Sequence, residues 1–138
     1  MDDETLRSIE LTRTGDGRFE ATNRRGDVLP IGGETDFSPV ELLLASLAGC
    51  SAIDVDLITG KRAAPDAFGV RATAHKIRDE EGNHLVDLKL TFDVHFPDGE
   101  DGDRAREVLP RALQQTRDRL CTVSRTIALG APIEYVEK

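Results

Sequence analysis

The sequence predicts an α+β fold in which antiparallel strands accompany helices. Two observations carry this. Residues 38–60 form one long apolar stretch that opens with helix-start signals. Further on, Val86, Leu88, Leu90, Phe92, Val94 and Phe96 alternate with Asp87, Lys89, Thr91, Asp93 and His95, the period-two pattern of a strand with one face on a core and one in water. At 138 residues the chain fits a single domain, expected to span 1–138, and can bury a core without disulfide staples.

The first third reads as a meander. Ile9 and Leu11 alternate with polar residues, Gly15-Asp16-Gly17 turns the chain, and Phe19 and Ala21 alternate again. Arg25-Gly26-Asp27 makes a second turn before Val28 to Ile31, and Gly32-Gly33 and Asp36 form a loop.

Ser38 then starts a helix. It is a good N-cap, Pro39 suits the first helical position, and Glu41 completes an S-x-x-E capping box. The helix is expected to run to about Gly60, a suitable C′ glycine. From Val40 to Ile53 apolar residues cover nearly every face, which is the pattern of a helix buried all round. A domain of this size can hardly enclose such a helix alone, so a partner subunit is expected to cover part of it.

A hairpin follows. Phe68, Val70, Ala72 and Ala74 share one face, the turn lies near Asp79 to Asn83, and the alternating strand from Val86 returns. Pro97-Asp98-Gly99 ends it. A polar helix is expected from about Asp103 to Leu120, kinked or split by Pro110. Cys121 to Ala128 reads as a short further helix and Ile133 to Val136 as a final strand.

The net charge of −8 argues against nucleic acid and anionic membranes as partners. Asp54 and Asp56 interrupt the most apolar stretch, so no membrane span is expected. The start, Met1-Asp2-Asp3-Glu4, is acidic and no secretory h-region follows it, which points to a cytoplasmic protein. In that compartment two cysteines favour thiol chemistry or plain burial over a structural disulfide. His75 and His95 fall on the polar faces of their strands and His84 lies at a turn. None has metal-ligand spacing with another or with a cysteine, and no metal is expected.

Two separated segments carry a resemblance. Ser38-Pro39-x-Glu41-Leu42-Leu43-Leu44 leads to Ala48-Gly49-Cys50, and Cys121-x-Val123-Ser124 follows later. With the order of elements over nearly the whole chain, these resemble the OsmC/Ohr superfamily of osmotically inducible and organic-hydroperoxide-resistance proteins, and most of all its OsmC-like branch. The resemblance implies an intertwined homodimer, with two long cysteine-bearing helices at the centre wrapped by antiparallel sheets. It also implies a thiol peroxidase acting on a small organic hydroperoxide or hydrogen peroxide. In that scheme Cys50 attacks the peroxide, Cys121 resolves the sulfenic acid as a disulfide, and an external dithiol such as a lipoyl group reduces it, with no metal or haem.

The sequence departs from the family at one place. In its active enzymes a glutamate directly follows the helix's proline and pairs with an activating arginine; here that position is Val40. Glu41 lies nine residues before Cys50, about 13 Å along the helix and on its opposite side, so it cannot reach Cys50 of its own chain and is a candidate only through contact across a dimer interface. No arginine occurs between Asp27 and Pro39. Arg18, Arg24 and Arg25 are the nearest candidates for activation, and Arg125, one turn after Cys121, and Ser124 are candidates for contact with a thiolate or substrate. Each also has a plain structural explanation, as a turn, surface or capping residue. Asp54, one turn after Cys50, would oppose thiolate formation unless hydrogen-bonded elsewhere. Two further readings stay open: a non-catalytic dimer binding a small apolar ligand, and a thiol redox sensor.

Overall fold

The computed structural model describes residues 4–138, which divide into two compact units, one ending at Leu43 and one starting at Leu44. The first is the expected meander: β1 (Glu10–Gly15), β2 (Arg18–Thr22) and β3 (Val28–Gly32) form an antiparallel sheet in the order β1-β2-β3. Asn23 shapes the second turn, its side-chain oxygen accepting the N–H groups of Arg25 and Asp27, both at 3.0 Å. Pro30 sits in β3, where an edge strand can spare a donor. Gly32 has φ +92°, and a Cβ there would lie 2.3 Å from the Gly17 carbonyl oxygen, so only glycine fits this close approach.

Helix α1 (Pro39–Thr59) opens on the expected capping box. The Ser38 N–H donates to Glu41 Oε1 at 2.9 Å, and the Glu41 N–H donates to Ser38 Oγ at 3.1 Å. Gly60 ends the helix, and its N–H donates to the Asp56 carbonyl at 2.8 Å. By length and composition alone α1 could cross a bilayer. Within the unit from Leu44 on, its buried residues Leu47, Ser51, Val55 and Thr59 recur every fourth position. Ile53 and Leu57 remain exposed, at 63% and 65%.

Strands β4 (Ala67–Asp79) and β5 (Gly82–His95) form the long hairpin, braced by an edge-to-face pair of Phe68 and Phe92 with ring centroids 6.2 Å apart. The alternation in β5 is not continuous, however. The register shifts opposite Thr73 and His75, and Asp87 takes φ +56° there. This bulge places an extra residue against β4; aspartate tolerates the left-handed conformation better than most.

Helix α2 (Glu100–Gln115) starts three residues earlier than the pattern suggests. Glu100, Asp101 and Asp103 fill its first turn, where acidic side chains suit the helix dipole. Pro110 does not split it; only one N–H is lost, and the helix continues on both sides to Gln115. The next five residues, Thr116–Leu120, form a π turn in place of the expected α-helix, and α3 (Thr122–Leu129) follows Cys121. The expected strand from Ile133 to Val136 does not form: residues 131–138 pair with no strand among the described residues, and Ile133 and Tyr135 are 77% and 90% exposed. An alternating segment becomes a strand only when a ladder partner lies beside it.

Candidate functional site

The site is built where α1 meets the junction of α2 and α3. Cys50 follows buried Leu47 by one turn and precedes buried Ser51, which brings its half-buried thiol to the edge of the helix's inward stripe. Cys121 occupies the N-cap of α3 and is fully buried. Its Sγ accepts the Ser124 N–H at 3.3 Å, as a serine or threonine hydroxyl would in the same place. Its own N–H donates to the Thr116 carbonyl at 2.9 Å, closing the π turn.

These placements bring the two thiols together. The Cys50 thiol lies close enough to the Cys121 thiol and to the backbone N–H groups of Val123 and Thr122, at the first turn of α3, to be influenced by each. Both cysteines are free thiols here. Burial pushes the Cys50 thiol above its ordinary pKa; the Val123 N–H works against that, Cys121 adds to it, and the Thr122 N–H lowers it again. The net direction is upward, so the reduced site holds Cys50 as a thiol at neutral pH. Oriented N–H groups nonetheless face the sulfur and would stabilise negative charge as it develops.

One turn beyond Cys50, the half-buried Asp54 is hydrogen-bonded within the chain. Its Oδ2 accepts the hydroxyl of Thr116 at 2.8 Å, and Thr116 is 3% exposed. Sequence reasoning did not single out Thr116. A lone threonine late in a polar helix carries no motif, and a π turn has no compositional signature.

The other candidates are dispersed. Glu41 is engaged in the α1 cap. In the unit that ends at Leu43, Arg18 pairs with Asp36 at 3.2 Å, Arg25 pairs with Asp27 at 3.5 Å, and Arg24 is exposed. Ser124 meets Cys121 through its backbone N–H. Arg125 is half-buried on α3, and its charge helps hold the Asp118 carboxyl below its usual range, after the larger effect of the hydrogen-bonded Arg117. The histidines are exposed and lie beside carboxylates: His75 by Asp87, His84 by Asp79 and His95 by Asp93.

A cavity of about 620 Å³ opens between α1, β5 and the α2–α3 segment, lined by the chain neighbours of the cysteines, Ser51 among them, and not by the cysteines themselves. Leu47 and Ser51 of α1 border it, Leu90 and Phe92 of β5 form an apolar wall, and Arg117 and Ser124 supply polar groups. It is large enough for a small organic molecule.

A model of the OsmC-like protein family matches residues 32–136 of the chain. The chain belongs to the OsmC family. An uncharacterized protein of Mycobacterium tuberculosis is 29% identical to it over 132 residues, 93% of each chain. Among solved structures, a hypothetical protein from Aquifex aeolicus superposes with a TM-score of 0.73 at 18% identity, covering 90% of this chain and 88% of its own. An OsmC-like protein from Mycoplasma pneumoniae gives 0.68 at 16% identity, covering 91% and 89%. A Legionella pneumophila organic hydroperoxide resistance protein OsmC gives 0.56 at 14% identity, covering 89% and 90%. At these identities the structural likeness speaks for the OsmC fold alone. Family membership agrees with the two cysteine-bearing segments, both of which fall inside the matched range.

Proposed function

We propose that this OsmC-family protein is a thiol-dependent peroxidase that reduces organic hydroperoxides. The observation that carries the reading is the meeting of the Cys50 and Cys121 thiols at the first turn of α3. The Cys50 thiolate attacks one peroxide oxygen, the O–O bond breaks, and the alkoxide leaves and takes up a proton to become an alcohol. Cys50 is left as a sulfenic acid. The Cys121 thiolate then attacks the Cys50 sulfur, the S–O bond breaks, and hydroxide departs as water once protonated. One hydroperoxide and two thiols thus give one alcohol, one water and one disulfide. An external dithiol, such as a lipoyl group, exchanges with the disulfide and restores both thiols.

The α3 N–H groups of Thr122 and Val123 stand in this scheme where the family's arginine would act, since Val40 replaces its glutamate partner. Backbone donors of this kind stabilise a developing anion without a charged side chain. The cavity walled by Leu90 and Phe92 would take the apolar part of the hydroperoxide. A second copy of the chain would cover Ile53 and Leu57 of α1, giving the homodimer that such an apolar helix calls for.

The test is a titration of the reduced protein with one equivalent of cumene hydroperoxide, followed by a count of free thiols. Loss of two thiols in the wild type and of none in Cys50→Ser supports the reading; unchanged thiols in the wild type overturn it. The cavity favours one competing reading, a non-catalytic protein that binds an apolar ligand with its thiols inert. That reading predicts unchanged thiols and a ligand that copurifies.

A further inference from the structure

We infer that Asp54 and Thr116 are positioning residues that set the reach of Cys121 to Cys50, through a second rung laid one turn away from the thiols. Two contacts join α1 to the segment between α2 and α3. Cys50 lies close to Cys121, and Asp54 Oδ2 accepts the Thr116 hydroxyl at 2.8 Å. Along α1 the two rungs are four residues apart, one α-helical turn, so both side chains lie on one face. Along the opposing segment they are five residues apart, which in an α-helix would place them on different faces. The π turn over Thr116–Leu120 removes the mismatch: the Cys121 N–H donates to the Thr116 carbonyl at 2.9 Å, and residues five apart come into line.

Thr116 therefore acts from both ends. Its carbonyl closes the turn that delivers Cys121, and its hydroxyl anchors that turn to α1. The anchor is a hydrogen bond to a carboxylate from a hydroxyl shielded from water, the stronger kind. The inference rests on the disulfide step of the function proposed above, but its test needs no peroxide.

The test is the equilibrium between the reduced protein and glutathione disulfide, in which two protein thiols and one glutathione disulfide give the Cys50–Cys121 disulfide and two molecules of glutathione. The equilibrium constant is the effective concentration of one thiol at the other. Thr116→Val and Asp54→Ala are each expected to lower it about tenfold, the scale of a hydrogen bond to a charged group. The double variant should fall no further than either single one, and Thr116→Ser, which keeps the hydroxyl, should stay within about twofold of wild type.

Tm is measured on both redox forms in parallel. A hydrogen bond that serves only the fold lowers both Tm values alike and leaves the effective concentration unchanged, and that outcome overturns the inference. So does an equal loss in Thr116→Ser. If Thr116→Val does not fold, Asp54→Ala set against Thr116→Ser decides the matter. A wild type that forms the disulfide in glutathione but ignores cumene hydroperoxide removes the peroxidase reading and leaves the positioning role standing.

Discussion

The Cys50 thiol, in the middle of α1, and the Cys121 thiol, at the N-cap of α3, meet at one helix end. A helix N-terminus supplies unpaired N–H groups, and here two such groups face Cys50 while a third, from Ser124, reaches Cys121. Both sulfurs that would carry charge in a disulfide exchange thus lie where donors are already in place.

Cys121→Ser should separate the two chemical steps. With Cys121 gone, a Cys50 sulfenic acid has no intramolecular partner and should persist. Dimedone added with one equivalent of cumene hydroperoxide is expected to label Cys50 nearly completely in the variant and only weakly in the wild type, as read by mass spectrometry. Equal labelling of the two proteins would rule out Cys121 as the resolving thiol.

The elevated Cys50 pKa gives a sign for pH. Reactivity toward iodoacetamide should still be rising above about pH 8.5, where an ordinary thiol is half ionised. Stability should move the other way. Between the ordinary and the raised value the unfolded chain has lost a proton that the folded chain keeps, so stability falls as pH rises through that window. Urea unfolding of the reduced protein at several pH values tests this, with Cys50→Ser expected to show a weaker decline.

Gly102 lies buried in the first turn of α2, and a Cβ added there would meet the Pro97 carbonyl oxygen at 1.7 Å. Backbone atoms cannot yield as a flexible side chain can. Gly102→Ala should therefore destabilise by about 2 kcal/mol or more despite alanine's better helix propensity, a sign that chemical denaturation reads directly.

Ser38→Ala removes one half of the α1 capping box. A loss of about 1 kcal/mol is expected, with the kinetics of thiol alkylation unchanged. A large change in those kinetics would mean that the cap also controls how α1 presents Cys50.

Helix α1, its capping box and the hairpin were readable from local rules because each is fixed by neighbours in sequence. Ser38 and Glu41 satisfy each other, and Leu90, Phe92 and Val94 alternate because one face of β5 is turned inward. The pair of cysteines was legible only through the family resemblance; nothing in the spacing says that two distant thiols meet. The bulge at Asp87, the π turn and Thr116 were not legible. Each depends on matching the register of one element to another, which periodicity within a single element does not encode. Ile133 to Val136 failed for a related reason, since its alternation is genuine while no described residue pairs with it.

The π turn also bears on how such a chain tolerates change over time. A π turn amounts to a single residue added to an α-helix. Were 116–120 to relax into ordinary helical bonding with all five residues kept, everything beyond would swing by about 100°. Cys121 would then face away from Cys50 although every side chain proposed for the chemistry was still present. A one-residue deletion between Thr116 and Cys121, by contrast, would leave the two four apart and on one face of an ordinary helix, so related chains that keep both cysteines but lack the extra residue should keep the disulfide.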